Sequence, residues 1–244
     1  MSLAYFLTPD PLSGRLTGAE ARHAHVKRIA PGESIVLTDG TGLTATITVT
    51  RASQEEVVGE VIAHAEVPAP TPRVTVVQAI PKSERAELAV DLATQAGADE
   101  IIAWQADRCV AKWDGKKAPK AVAKWQAAAD SAAKQSRRAR IPQVRGPLTT
   151  PQLVQELSGG RDGASSNAPT VLVLHEEATA SIKDVPLTED VVLLVGPEGG
   201  IGDAELDRLK EAGATPIKLG PEVLRTASAA MVALAAIGMR TERW

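Results

Sequence analysis

The feature that most constrains the fold is a regular alternation of apolar strands and helices through the carboxy-terminal two thirds of the chain. The strand Val74–Ile80 precedes a helix predicted over Ser83–Ala96, in which Leu88 and Leu92 recur at helical spacing. Such alternation predicts an α/β fold, a parallel sheet with helices on both faces. The other predicted strands are Glu100–Trp104, Thr170–Leu174, Val191–Val195 and Pro216–Leu219, and the other predicted helices open at Pro119, surround Leu153 and Leu157, and cover 203–212 and 226–240.

The first 66 residues have a different pattern, in which short β segments rich in β-branched residues alternate with turns. This pattern predicts a small antiparallel barrel. Three prolines between Pro68 and Pro72 predict a stiff linker after it. We therefore expect a β-barrel domain over residues 1–70 and an α/β domain over 71–244. The predicted β segments are Ser34–Thr38, Ala45–Val49 and Val57–Ala63.

Composition excludes several classes of protein. The single cysteine, Cys109, excludes an internal disulfide and a zinc site built from cysteines, and its apolar neighbours favour a packed thiol over a reactive one. The amino terminus lacks the basic and apolar regions of a signal peptide. The apolar stretch 227–239 is too short to span a membrane. We expect a soluble, cytoplasmic protein with no membrane segment.

Basic residues are concentrated in the middle of the chain. Residues 71–145 hold 14 Lys and Arg against 8 Asp and Glu, although the whole chain has a net charge of −3. Such an excess attracts a polyanion, or it forms a solvated helix surface, and charge alone leaves both interpretations open.

The most informative segment is Val191–Asp203, in which an apolar strand runs into the glycine-rich turn 196–202. Ligands of α/β proteins bind beyond the carboxyl ends of strands, and glycines there let a ligand approach the backbone. The spacing is Gly-x-x-Gly-Gly-x-Gly, which is neither a Walker motif nor Gly-x-Gly-x-x-Gly. The spacing favours a ligand loop over a purely structural turn.

Two further strand ends carry polar side chains. The loop 219–226 again joins a strand to a helix, with Arg225 just before Thr226, a residue suited to cap that helix. His175 follows the strand Thr170–Leu174, where it is a general base or, more often for a histidine in this position, a structural residue.

The glycine-rich turn after Val195 and the loop 219–226 resemble the two signature loops of the bacterial 16S ribosomal RNA uridine-N3 methyltransferases. These enzymes belong to the knotted SPOUT superfamily. The first is LVGPEGG at 194–200, and the second is LGPEVLRT at 219–226. Upstream, 81–85 is similar to the family's Lys-x-x-Arg segment, and 129–142 to its Ala-x-x-Gln-Ser-x-Arg…Ile-Pro segment. Residues 26–40 are similar to its amino-terminal RNA-binding barrel, so the resemblance covers nearly the whole chain.

The chain departs from the family pattern at three places. Residues 227–229 are Ala-Ser-Ala where the family has Glu-Thr-Ala, so this loop lacks an acidic side chain. Residues 95–97 are Gln-Ala-Gly where the family has Glu-Leu-Gly. The family's amino-terminal histidine does not correspond to a single residue among Arg22, His23 and His25.

The resemblance implies a trefoil-knotted SPOUT methyltransferase domain preceded by a PUA-like RNA-binding barrel. It implies S-adenosyl-L-methionine as cofactor, held mostly by backbone groups of the knot loops, and no metal. It also implies a homodimer in which the partner subunit completes each site. The implied cofactor-binding residues are Leu174, His175, Val195, Gly196, Gly199, Gly200, Leu219, Gly220, Leu224, Arg225 and Thr226.

The implied reaction is methylation of N3 of a specific uridine in 16S ribosomal RNA. Uracil N3 is a poor nucleophile while it carries its proton, so the enzyme must position N3 and remove or delocalise that proton. Arg225 is the first candidate to stabilise charge on the uracil carbonyls. Glu198 is a candidate base or, alternatively, holds its loop. Base pairing occupies N3, so the target must be unpaired or turned out of its stack.

The resemblance also implies a partner for the basic residues concentrated in 71–145, namely 16S ribosomal RNA within the small ribosomal subunit. These lysines and arginines are expected to bind phosphates, and 112–120 is expected to be a mobile loop. The candidate RNA-binding residues are Arg22, Arg28, Lys82, Arg85, Lys112, Lys116, Lys117, Lys134, Arg137 and Arg138, and Lys120 and Arg140 belong to the same basic set.

Two alternatives remain at this stage. One is an RNA-binding protein that keeps the fold without catalysis, which measurable binding of S-adenosylmethionine would argue against. The other is methylation of transfer RNA at ribose. The resemblance of the amino-terminal barrel to that of the family favours ribosomal RNA over this alternative.

Overall fold

A computed structural model describes residues 3–82, 85–159 and 168–244. Its contacts divide the chain into two compact units. The first comprises Met1–Ala69 with Asp130–Ile141, and the second comprises Pro70–Ala129 with Pro142–Trp244. The first unit therefore includes a segment that is distant from the rest of it in sequence.

Eleven strands and six helices are defined in the described part of the chain. The strands are β1 (Tyr5–Leu7), β2 (Arg15–Thr17), β3 (Ser34–Thr38), β4 (Leu43–Ala52), β5 (Glu56–Glu66), β6 (Arg73–Ala79), β7 (Glu100–Gln105), β8 (Gln143–Thr149), β9 (Thr170–Leu174), β10 (Asp190–Val195) and β11 (Thr215–Ile217). The helices are α1 (Gly18–Val26), α2 (Ala86–Gln95), α3 (Lys117–Ser136), α4 (Thr150–Gly159), α5 (Asp203–Glu211) and α6 (Thr226–Met239).

The first unit is built on a five-stranded sheet in the order β1-β3-β4-β5-β2. Strand β4 alternates threonine with apolar residues, so its apolar side chains lie on the buried face. Phe6, Leu16, Ile35 and Ile47 form the centre of this core. The sheet was predicted to be antiparallel, but β1 pairs with β3 in parallel, because the chain passes through β2 and α1 between them instead of a hairpin.

The segment 130–141 completes the first unit. The hydroxyl of Thr38 donates a hydrogen bond 3.1 Å long to the carbonyl of Ala139. The ammonium of Lys134 lies 2.5 Å from a carboxylate oxygen of Glu20, and both side chains are largely buried. Helix α3 thus begins in the second unit and ends in the first.

The second unit is built on a six-stranded, fully parallel sheet in the order β11-β9-β10-β6-β7-β8. The central strand β10 is a nearly continuous apolar run, and most residues of its neighbour β6 are buried, as expected for strands covered on both faces. Helices α2 and α6 pack against each other, and α6 also contacts β6 and β10. In a parallel sheet the carboxyl ends of all strands lie at one edge, so the loops that follow them meet there.

Several element bounds differ from those predicted. Helix α3 begins at Lys117, so Pro119 lies within its first turn, where the missing N–H group removes no helical hydrogen bond. Strand β11 ends at Ile217 instead of Leu219. Helix α2 is described from Ala86, and Ser83, the predicted start, lies outside the described residues.

No helix within residues 3–82, 85–159 and 168–244 is long and apolar enough to cross a membrane.

Candidate functional site

A cavity of about 790 Å³ lies at the carboxyl edge of the six-stranded sheet, where the loops after β9, β10 and β11 meet. Its volume falls in the range of small-molecule sites, roughly 300–1,000 Å³. The cavity brings together the cofactor-binding and catalytic candidates with Lys82 and Arg85. The candidates that line it are Leu174, His175, Val195, Gly196, Glu198, Gly199, Gly200, Leu219, Gly220, Leu224, Arg225 and Thr226.

The floor of the cavity is apolar, because strands β9, β10 and β11 end there in aliphatic residues. Val195 and Ile217 are buried, at 2% and 0% exposed. On the rim, Val223 and Leu224 are 74% and 36% exposed. An apolar floor with an exposed apolar rim suits a ligand that carries a flat, weakly polar ring.

The glycines of the two loops differ in what they do. Gly200 has φ +69°, a conformation that favours glycine. A Cβ at Gly196 would lie 2.9 Å from Cγ1 of Ile201, so glycine lets the loop fold over that side chain. A Cβ at Gly220 would meet only Oε2 of Glu222, at 3.5 Å, which leaves the space beside this backbone open.

Thr226 connects the two loops. Its hydroxyl donates a hydrogen bond 3.0 Å long to the carbonyl of Gly196. The prediction that Thr226 caps α6 was wrong: Arg225 is the N-cap residue, and Thr226 is the first residue of the helix. Its hydroxyl is directed to the neighbouring loop instead of the N–H groups of its own helix.

Glu198 connects the loop after β10 to the loop after β6. Its Oε1 accepts a hydrogen bond 3.0 Å long from the backbone N–H of Lys82. This contact is the one expected of a carboxylate that holds its loop, which was the alternative to a role as base.

Arg225 is exposed and lines the cavity, next to the start of α6. Its backbone is fixed, because its carbonyl accepts hydrogen bonds from the N–H groups of Ser228 and Ala229. Within the described residues, no carboxylate lies within 4.0 Å of its guanidinium. The cation is therefore available to a ligand in the cavity.

His175 stabilises the turn after β9. Its backbone N–H donates to the carbonyl of Ile217 over 3.1 Å, and its Nδ1 accepts the backbone N–H of Glu177 over 3.3 Å. These contacts are those of the structural alternative for this residue.

Most of the RNA-binding candidates are not among the residues that line the cavity. In the first unit Arg22, Arg28 and Arg137 are exposed, and Arg138 is half-buried. Lys134 lies in the first unit too, where its ion pair with Glu20 neutralises its charge. In the second unit, the exposed candidates that do not line the cavity are Lys112, Lys116 and Lys117.

Arg108 lines the cavity and was missed by the sequence interpretation, which treated 108–111 as an apolar patch. It follows β7, and its Nη1 donates a hydrogen bond 3.2 Å long to the carbonyl of Gly199. The rule that loops at the carboxyl ends of parallel strands meet would have placed it here.

Cys109, beside it, is a packed thiol. Its side chain is 5% exposed, and burial raises its pKa to about 11. Residues 3–82, 85–159 and 168–244 contain no group of three or more His, Cys, Asp or Glu side chains placed to hold a metal ion.

Comparison with known proteins gives matches along most of the chain. The model of an RNA methyltransferase domain matches residues 68–238, and that of an RNA methyltransferase PUA domain matches residues 16–62. The chain is 52% identical over 250 residues to the ribosomal RNA small subunit methyltransferase E of Mycobacterium bovis, covering 100% of this chain and 94% of that relative. It is 31% identical over 238 residues to the protein of the same name from Bacillus subtilis, covering 93% and 90% of the two chains.

A solved structure is similar over the whole chain. The crystal structure of a ribosomal RNA small subunit methyltransferase E from Neisseria gonorrhoeae, bound to S-adenosyl methionine, matches with a TM-score of 0.85 at 27% identity, and 98% of each chain is covered. These matches confirm the predicted fold class, a SPOUT methyltransferase domain preceded by a PUA-like β domain.

Proposed function

The chain belongs to the RNA methyltransferase family that includes ribosomal RNA small subunit methyltransferase E, and we propose that it methylates N3 of one uridine in 16S ribosomal RNA. It is an S-adenosylmethionine-dependent ribosomal RNA methyltransferase of the small subunit. The observation that carries the proposal is the cavity at the carboxyl edge of the sheet, which gathers every cofactor-binding candidate.

The residues around the cavity fit the cofactor. Leu174, Val195 and Leu219 provide the apolar surface that an adenine ring requires. The open space beside the backbone of Gly220 leaves N–H and C=O groups accessible to a ligand. When bound, S-adenosylmethionine supplies a methyl group on a sulfonium, which is a good leaving group.

Arg225 is the residue that we assign to the chemistry. Methylation at N3 requires that the N3 proton leave and that the resulting charge spread onto the neighbouring carbonyl oxygens. In the part of the chain that the structure describes, the guanidinium of Arg225 has no carboxylate partner. A guanidinium meets a carbonyl with two N–H donors, so Arg225 lowers the cost of that charge. Glu198 stays the candidate base, although its contact with Lys82 favours a role in holding the loop.

The PUA-like domain, residues 1–70, is assigned to RNA binding. Arg22 and Arg28 are exposed in its unit, together with Arg137 of the segment 130–141. The basic residues Lys112, Lys116 and Lys117 give the second unit its own contacts to phosphate. The substrate is 16S ribosomal RNA within the small subunit, and this places the enzyme in the cytoplasm.

We further propose that the enzyme is a homodimer. Helix α6 carries no charged side chain between Thr226 and Met239, yet Met231 and Val232 are 39% and 41% exposed. An apolar helix with exposed large side chains is expected to be covered by a partner. Sedimentation of the wild type and of Val232→Glu tests this, and a monomeric wild type would contradict it.

Mass spectrometry of nucleosides tests the proposed reaction. Small subunits from a strain that lacks the gene are incubated with the enzyme and S-adenosylmethionine, and their 16S RNA is digested. We expect one 3-methyluridine per subunit. A ribose methylation, or activity on transfer RNA alone, would support the alternative reaction, and cofactor binding without any product would support a protein that has lost catalysis.

A further inference from the structure

Arg108 extends from the loop after β7 across the glycine-rich turn that follows β10. We propose that Arg108 binds a backbone phosphate of the RNA beside the target nucleotide, and that Gly199 and Gly202 are glycines because its side chain occupies the space where their Cβ atoms would lie. The proposal rests on the proposed function, since it assigns a contact to the same RNA substrate.

The two glycines are explained by space and not by backbone conformation. Neither has a φ in the left-handed region, whereas Gly200 between them does. A Cβ at Gly202 would lie 3.2 Å from Nη2 of Arg108 and 3.3 Å from its Nε. A Cβ at Gly199 would lie 3.3 Å from Cβ of Arg108. The whole arginine side chain therefore lies against the turn.

A buried carboxylate, that of Glu205, holds the loop that carries Arg108. Glu205 is 2% exposed, and its Oε1 accepts the backbone N–H of Asp107 over 2.9 Å and the hydroxyl of Thr150 over 2.5 Å. The amide of Gln105 closes the other end of the loop, through hydrogen bonds with the backbone of Ala111 and Trp113. Arg108 is thus held in place before any ligand binds, which lowers the entropy lost on binding.

The charge of Arg108 is not neutralised within the described residues, where no carboxylate lies within 4.0 Å of it. Its hydrogen bond goes to a peptide carbonyl, and the adjacent carboxylate, Asp107, pairs with Arg208 at 2.5 Å. An exposed guanidinium that is positioned by a hydrogen bond and has no carboxylate partner among the described residues fits an oxyanion, and phosphate above all.

The position in the sheet favours a phosphate of RNA over the carboxylate of the cofactor. The cofactor-binding candidates follow β9, β10 and β11, which lie on one side of the sheet. Lys82 follows β6 and Arg108 follows β7, on the other side of β10. Lys82 contacts Glu198 through its backbone N–H, and Arg108 contacts Gly199 through its guanidinium. Both basic residues line the cavity.

Removal of the Arg108 side chain distinguishes an RNA phosphate from the cofactor carboxylate as its ligand. Binding of small ribosomal subunits from a strain that lacks the gene is measured against salt concentration, and binding of S-adenosylmethionine by calorimetry. For Arg108→Ala we expect about tenfold weaker RNA binding at low salt, a salt slope smaller by about one, and unchanged cofactor affinity. Arg108→Lys should recover the slope but only part of the affinity, because a point charge lacks the planar fork.

Two results would overturn the proposal. One is weaker cofactor binding with unchanged RNA binding, which would assign Arg108 to the cofactor carboxylate. The other is unchanged RNA affinity and slope. Neither depends on which atom is methylated, so failure here is distinguishable from failure of the N3 assignment, which only the nucleoside analysis reports.

A double-mutant cycle tests the role of the glycine. Gly202 is the N-cap of α5 with φ −75° and ψ 155°, a conformation and position that suit threonine. Gly202→Thr should leave the fold intact and displace the guanidinium. It should weaken RNA binding in the wild type and have no further effect in Arg108→Ala. An equal loss in both backgrounds would show that Gly202 acts independently of Arg108.

Discussion

The hydroxyl of Thr226 donates a hydrogen bond to the carbonyl of Gly196, and this contact ties the first turn of α6 to the loop after β10. The two residues are 30 positions apart, and Thr226 is only 9% exposed. The shape of the cavity therefore depends on one largely buried hydroxyl, which joins two of the loops that line it.

Thr226→Val keeps the shape of the side chain and removes the donor, so the carbonyl of Gly196 is left without this partner. Such a loss costs about 1–3 kcal/mol, and we expect the dissociation constant for S-adenosylmethionine to rise by about tenfold in calorimetry. The matched control is Ser228→Ala, which removes an exposed hydroxyl two residues later in the helix. Equal affinities in the two variants would contradict this role.

Gly196 and Gly220 should respond differently to alanine. A Cβ at Gly196 meets Ile201 at 2.9 Å, so Gly196→Ala should lower the melting temperature as well as cofactor affinity. A Cβ at Gly220 meets the protein at no less than 3.5 Å, so Gly220→Ala should fold normally. If Gly220→Ala also binds the cofactor normally, then the cofactor does not approach this backbone.

Arg225 is tested by single-turnover methylation of small subunits. Loss of a contact made in the transition state lowers kcat with little change in either KM, and we expect this pattern for Arg225→Ala. Arg225→Lys should recover little of the rate. A raised KM for S-adenosylmethionine or for RNA with a normal kcat would make Arg225 a binding residue instead.

Arg137 combines backbone strain with an exposed charge. It ends α3 with φ +58°, a conformation that costs a non-glycine residue about 1 kcal/mol. Arg137→Gly should therefore raise the free energy of unfolding by about 1 kcal/mol while it weakens RNA binding. Arg137→Ala removes the same charge without relief of strain. If both variants bind RNA like the wild type, Arg137 does not contact phosphate.

Cys109 predicts a loss of stability at alkaline pH. Its pKa is raised by burial to about 11, above that of an unfolded cysteine, so folding favours the neutral thiol. The contribution is fully present below the unfolded pKa and is lost as the pH rises towards 11. Stability between pH 8 and about 11 should therefore fall less in Cys109→Ala than in the wild type. Rapid alkylation of native Cys109 at pH 8 would contradict the raised pKa.

The parallel sheet was visible in the sequence because its central strands are buried on both faces. Val191–Val195 is apolar without interruption, Val74–Val77 is interrupted only by Thr75, and helices with regular apolar spacing separate them. Strand β8, Gln143–Thr149, was missed. It contains Gly146 and Pro147 and lies at the edge of the sheet, where a proline is tolerated and the apolar pattern is weak.

The site was predictable where a backbone conformation or a strand end determines the residue. The loops 196–202 and 219–226 were located in this way. The contact between Thr226 and Gly196 was not, because a threonine before a helix more often caps it. The position of the Arg108 side chain was not predictable either, since neither Gly199 nor Gly202 has a φ in the left-handed region. The need for glycine there comes from a side chain about 90 residues away in sequence.

Helix α3 belongs to both units, and this limits how the two units could have been exchanged between proteins. The first unit needs residues 130–141, which the chain reaches only after the strands β6 and β7 of the second unit. A fragment that stops at the proline linker would lose the Thr38–Ala139 and Glu20–Lys134 contacts. A genetic crossover at that linker would therefore exchange an incomplete module, and the two units are expected to have been inherited together.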